Sequence, residues 1–159
     1  MTDDVTGKKM VAGFLFSGPR VLLVKKRKPA WQYGLLNGVG GVINPSETPI
    51  EAMNREFREE TQTNTDLAID WRHFATEIGP FGSYVYFFHA KIERRDVIWP
   101  EKNDVGEDLF WLHWLEVAGG RRSAVGNLRW LLPLALDWRG FVQPVTVDVK
   151  KDIREKATW

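Results

Sequence analysis

The chain has 159 residues, 43% of them hydrophobic and 27% charged, with a formal net charge of +1. That is the size and balance of one soluble globular domain with a substantial core. The near-neutral charge gives no electrostatic reason to expect a nucleic-acid polymer as partner. The absence of cysteine excludes a disulfide framework and any thiolate metal site. No apolar run approaches about eighteen residues, so no membrane span is expected. The lack of cysteine fits a cytoplasmic protein, and the first residues, Met1-Thr2-Asp3-Asp4, are acidic and show no secretory pattern.

Residues 1–7 read as a lead-in. KKMVAGFLF (8–16) and RVLLVKKR (20–27) are apolar runs separated by Ser17-Gly18-Pro19, the pattern of a β-hairpin. The basic run Lys25–Lys28 reads as a solvated strand end, although an alternating strand aims one or two of these residues the other way. Residues 29–36 form a loop entering a short strand, in which Trp31 is either core or a stacking surface for a base. Asn37-Gly38-Val39-Gly40-Gly41 follows; it is either a plain turn or a segment that lets backbone approach a metal or phosphate closely.

The next helix announces itself. Thr48 and Glu51 have capping-box spacing, and Pro49 occupies the first helical position, where its missing N–H costs nothing. Ile50, Met53 and Phe57 make an apolar stripe. Glu56, Glu59 and Glu60, at i, i+3 and i+4, share the neighbouring face. Three carboxylates so close raise one another's pKa values. They read as a solvated acidic face or as a site for a hard divalent cation such as Mg²⁺.

Beyond it, 67–78 and 84–92 read as two strands of a hairpin around the turn 79–83. His73 and His89 fall within them and read as core or edge residues, since neither has a second ligand at metal spacing. No Ser/His/Asp or Cys/His arrangement is present. Residues 93–106 read as loop, 107–115 as a strand and 117–126 as loop. A second helix spans 127–138, with Asn127 as N-cap, Leu128, Leu131, Leu132 and Ala135 at helical spacing, Pro133 predicting a kink or early start, and Gly140 ending it. Residues 141–159 form a C-terminal extension with a strand at 144–149 and a frayed end. Strands, an acidic helix, more strands and a final helix predict an α/β fold with a mixed sheet between helix layers, in one domain.

Gly41, Glu47, Arg55, Glu56, Phe57, Glu59 and Glu60 match in order the Nudix box, G-x5-E-x7-R-E-U-x-E-E-x-G-U. The sequence therefore resembles the Nudix (MutT-like) hydrolase family. Gln62 replaces the glycine of that pattern and Thr63 its aliphatic residue. Loss of the glycine predicts a helix stop shifted toward Asn64. The resemblance covers about residues 8–138, the core of the domain, and implies the αβα sandwich of the family and hydrolysis of a nucleoside diphosphate linked to another group. It implies that Glu56, Glu59 and Glu60 hold Mg²⁺ or Mn²⁺ ions that activate water against phosphorus, with one carboxylate or a metal-bound hydroxide as base. It adds the Gly41 carbonyl as a ligand and Glu107 as a further one, where the residues alone read equally as a solvated strand start. Arg55 is expected to orient a carboxylate and Glu47 to brace the loop, and the resemblance implies that Lys25 contacts substrate phosphates.

The Asn-Gly-x-Gly-Gly form of the preceding loop resembles the branch of oxidised purine nucleoside triphosphatases of the human MutT-homologue type. There the residue at Asn37 hydrogen-bonds the base, and a side-chain amide suits a base edge. The paired base-reading acids of that branch fall on Asn127 and Leu128, and neither acid is retained. The leading expectation is conversion of a purine nucleoside triphosphate, oxidised forms included, to monophosphate and pyrophosphate. The alternatives are hydrolysis of ADP-ribose, a nucleotide sugar or a dinucleoside polyphosphate, and a nucleotide-binding module without turnover. A homodimer is common in the family, and no segment here marks an interface.

Overall fold

The computed structural model describes residues 7–62, 68–93, 106–137 and 143–149. Strands β1 (Lys9–Ser17) and β2 (Arg20–Lys25) form the expected hairpin. The short strands β3 (Leu36–Asn37) and β4 (Val39–Val42) follow, then helix α1 (Pro49–Thr61). Strands β5 (Arg72–Ile78) and β6 (Tyr84–Lys91) make the second hairpin. Strand β7 (Asp108–His113), helices α2 (Trp114–Ala118) and α3 (Leu128–Asp137), and strand β8 (Val145–Asp148) complete the described strands and α-helices, and short 3-10 turns lie at Ala30–Gln32 and Pro80–Gly82.

The strands form one mixed sheet in the order β3-β2-β1-β6-β5-β8. β1 runs parallel to β6 from Lys9 to Phe16 and antiparallel to both β2 and β4, which share its other edge. β7 pairs antiparallel with β2, and β8 lies parallel to β5. Strand alternation sorts the core into two layers. Val11, Leu15, Leu22 and Val24 pack with Ala52, Met53 and Phe57 of α1. Ala12, Phe14, Phe16, Val21 and Leu23 point the other way, against Leu128, Leu131, Leu132 and Ala135 of α3. The fold is thus the expected αβα sandwich. Phe14 is fully buried and sits 6.3 Å from the rings of both Phe74 and Phe87; truncating such a side chain costs about 3–5 kcal/mol.

Several expectations need correction. The strand expected at 67–78 begins at Arg72. The strand expected at 107–115 stops at His113, where the ring accepts from the Leu115 N–H and caps α2, a helix absent from the sequence reading. Helix α1 does not run on toward Asn64. Gln62 itself takes the left-handed conformation (φ 53°, ψ 28°) and its N–H bonds the Arg58 carbonyl, doing the glycine's work at a steric cost. Helix α3, by contrast, starts after Asn127 as expected and has Pro133 inside it. The expectations at Asn64, most of the 93–106 loop, Gly140 and the frayed end lie outside the described residues. Among the described residues no helix is long and apolar enough to cross a membrane.

Candidate active site

The start of α1 is fixed by the box the sequence announced. Thr48 accepts from the Glu51 N–H, and the Glu51 carboxylate accepts from the Thr48 N–H at 2.8 Å. Met53 and Phe57 are buried against the sheet, which turns the Glu56, Glu59 and Glu60 face toward the β4 edge. Gly41 lies on β4 directly opposite Glu56. A Cβ there would come within 2.5 Å of the Glu56 carboxylate, so the acid occupies the volume that any other residue would need. One residue earlier, the Gly40 N–H donates to Glu60 Oε2 at 2.9 Å.

Two cations divide the carboxylates. Arg55 donates from Nε to Glu47 at 2.6 Å, from Nη1 to Glu56 at 2.6 Å and Glu59 at 3.2 Å, and from Nη2 to the Val42 carbonyl at 2.9 Å. Its planar fork is suited to this bridging. Glu47 also accepts from the Asn44 N–H, which ties the loop 44–48 to the helix. The bond from Arg55, then that from the Asn44 backbone, lowers the Glu47 carboxyl to about 2. Arg55 is held protonated by the same bonds, with Glu47 first. Burial pushes Glu56 upward, and Arg55 opposes it.

The second cation is Lys26, which the sequence reading passed over for its neighbour. Lys25 is exposed and, by alternation, on the face of β2 shared with Leu23, away from the carboxylates. It is therefore not beside the acidic cluster. Lys26 follows Leu22 and Val24 onto the α1 side. Its Nζ lies 3.0 Å from Glu60 and 3.2 Å from Glu107, with only 13% of the side chain exposed. Glu107 also accepts from the Arg27 N–H at 2.7 Å. Burial is the largest influence on Glu60 and pushes it up to about 7, against the Lys26 ammonium and the Gly40 N–H. Burial lowers Lys26, but the two carboxylates outweigh it and keep the ammonium protonated.

The donor chemistry of this cluster fits a hard divalent cation: carboxylate oxygens from one helix face, a further acid at Glu107, and a glycine that admits Glu56. Among the described residues no three acidic or imidazole side chains are gathered tightly enough to hold a metal as they stand. Each acid is paired with Arg55 or Lys26 instead. Glu59, 59% exposed, is the most open of them.

The expected base-reading residues are spread more widely. Asn37 donates to Gln32 Oε1 at 3.1 Å and accepts from the Gly38 N–H at 2.8 Å, a turn-bracing geometry. Trp31 is 46% exposed, which removes the core reading for it. Asn127 does not serve as the expected side-chain cap. Its amide donates to the buried Glu77 at 3.3 Å, and its Oδ1 is buried with no partner among the described residues. His73 Nε2 lies 3.0 Å from the Ala75 carbonyl and 2.8 Å from Thr76 Oγ1, consistent with a sheet residue.

A mixed sheet between helix layers, with a glycine strand set against an acidic helix, defines a Nudix-type protein. The chain belongs to the NUDIX domain family, which it matches over residues 8–131. It is 32% identical over 127 residues to a Nudix hydrolase of Deinococcus radiodurans, covering 76% of this chain and 73% of that one. It is 28% identical over 97 residues to the NAD-capped RNA hydrolase NudC of Pseudomonas syringae; the match covers 60% of this chain and spans about a third (32%) of NudC. Among solved structures it is similar to a NUDIX hydrolase of Nitrosomonas europaea, with a TM-score of 0.65 and 18% identity over 91% of this chain and 80% of that one. It is also similar to the NUDIX domain of Shewanella oneidensis NrtR, complexed with ADP ribose (TM-score 0.64, 18% identity, 82% and 86% covered). A third is the bifunctional NMN adenylyltransferase/ADP ribose pyrophosphatase of Francisella tularensis, complexed with AMP and a Mn ion (TM-score 0.64, 15% identity, 84% and 42% covered).

Proposed function

We propose that this chain is a metal-dependent hydrolase of nucleoside diphosphate-linked substrates, preferring a purine nucleoside triphosphate, oxidised forms included, and releasing the monophosphate and pyrophosphate. The observation that supports it most is the seating of Glu56 against Gly41 and of Glu60 against the Gly40 N–H, which gathers the box residues on one edge of the sandwich. Glu56, Glu59 and Glu60, with Glu107 and the Gly41 carbonyl, would hold Mg²⁺ or Mn²⁺. A bound divalent cation supplies Lewis acidity to the diphosphate oxygens and to the attacking water. Arg55 fixes the direction of Glu56 and Glu59, and Glu47 fixes Arg55. Asn37 would offer its amide to a base edge by giving up Gln32, and the exposed face of Trp31 would stack on the base.

A second reading, cleavage of ADP-ribose or a related linked diphosphate such as a nucleotide sugar or dinucleoside polyphosphate, is favoured by the fold likeness to a domain complexed with ADP ribose. The deciding experiment is Mg²⁺-dependent turnover across normal and 8-oxo dNTPs, ADP-ribose, a nucleotide sugar and a dinucleoside polyphosphate, with products identified. Selective turnover of a purine dNTP to pyrophosphate is the expected result. Selective turnover of a linked diphosphate would move the function to the second reading, and binding without turnover of any of them would make the chain a nucleotide-binding module.

A further inference from the structure

Both oxygens of Glu60 are already engaged: Oε1 by Lys26 Nζ and Oε2 by the Gly40 N–H. Both oxygens of Glu107 are engaged too: Oε1 by the Arg27 N–H and Oε2 by the same Lys26 Nζ. The ammonium therefore sits between one acid from the end of α1 and one just ahead of β7. A divalent ion reaching these oxygens meets a like charge, in a place where little water is available to screen it. The backbone N–H donors cannot leave, because Gly40 lies within a strand and Arg27 follows Lys26, whose N–H and carbonyl are both bonded to the backbone of Leu35 and Gly34. The lysine, on a flexible stem, can.

We propose that Lys26 is a built-in counter-cation, holding Glu60 and Glu107 in place of a divalent ion and being expelled from between them when one binds. This rests on the metal-site reading above. Two consequences separate it from a merely structural ion pair. Lys26 keeps the two acids together in the metal-free protein, and its charge weakens metal binding by competing for the same oxygens. A structural lysine would instead improve the site by holding it in shape, so removing it would weaken the metal.

The test is Mn²⁺ binding without nucleotide, followed by electron paramagnetic resonance, on the full chain and on Lys26→Met and Lys26→Arg. Methionine keeps the length of the stem without the charge. The expected result is Mn²⁺ binding tightened at least tenfold in Lys26→Met and close to wild type in Lys26→Arg. Equal or weaker binding in Lys26→Met, with wild-type binding intact, overturns the counter-cation role alone. No Mn²⁺ binding by any of the three overturns the metal-site reading and this proposal with it. A second measurement uses only the wild-type chain and does not depend on the variant folding. With ¹⁵N-labelled lysine, the Lys26 ammonium resonance should shift to a solvent-exposed position as Mg²⁺ saturates the site. A Lys26 resonance that stays unchanged through saturation contradicts the proposal.

Discussion

Gly41→Ala is a one-methyl change whose effect on stability and on activity should part company. The new Cβ would lie 2.5 Å from the carboxyl carbon and both oxygens of Glu56. Ordinary contact needs about 3.4 Å or more, so the carboxylate must retreat by roughly 1 Å. Glu56 is the flexible partner, and the φ of Gly41 is not in the left-handed region, so the fold has a cheap way out. The retreat gives up the 2.6 Å bond from Arg55. That pair is only 26% and 14% exposed, but Arg55 keeps its bonds to Glu47, Glu59 and Val42, so the loss is about 1 kcal/mol, partly offset by the smaller unfolded-state entropy of alanine relative to glycine. The melting temperature should fall by no more than about 2–4 °C. If Glu56 holds the metal as proposed, displacing it by that distance should cost on the order of 10²-fold in kcat. Gly40→Ala is the control. Its Cβ would collide with the Val11 carbonyl oxygen, which is backbone and cannot swing aside. That variant should lose about 3 kcal/mol or more and unfold several degrees earlier. Melting curves and initial rates on the two variants decide it. Wild-type activity in Gly41→Ala, or a loss of stability equal to that of Gly40→Ala, would refute the placement of Glu56.

Two further outcomes concern α1 and its loop. Gln62→Gly should stabilise the chain by about 0.5–1 kcal/mol, raising the midpoint by a few degrees, because a side chain at φ 53° is strained and glycine is not; an unchanged or lower midpoint would show that Gln62 is not strained there. Glu47 is depressed to about 2 in the folded chain, so its contribution is complete above pH 4.5 and is lost as pH falls from 4.5 toward 2. Glu47→Gln should therefore flatten the acid limb of the stability curve in that window, as read from melting temperature against pH, and parallel limbs in the two proteins would contradict the Arg55–Glu47 tether.

The parts of the site that were legible in the sequence are those encoded locally. Thr48, Pro49 and Glu51 fix a helix start within four residues, and Glu56, Glu59 and Glu60 share a face by helical geometry alone. What the sequence hid depends on partners far along the chain. Lys26 meets Glu60 across 34 residues and Glu107 across 81. The signal that could have found it was alternation: Leu22 and Val24 point toward α1, so the next residue on that side is Lys26, not Lys25. Asn127 reads locally as a cap, but Glu77, 50 residues away, takes its amide. The strand reading of 107–115 overran because Trp114 and Leu115 are as apolar as the strand before them; only the His113 ring, turned back to Leu115, marks the change to helix.

The central claim is that the α1 carboxylates carry a metal-dependent cleavage of a nucleoside diphosphate linkage. It is tested most directly by the Mg²⁺ dependence of pyrophosphate release from a purine nucleoside triphosphate, compared between the wild-type chain and Glu60→Gln, with Glu59→Gln alongside and folding monitored by circular dichroism. The account predicts saturable Mg²⁺ dependence in the wild type and a loss of at least about 10²-fold in kcat in the folded variants. Full Mg²⁺-dependent turnover in both variants would contradict it.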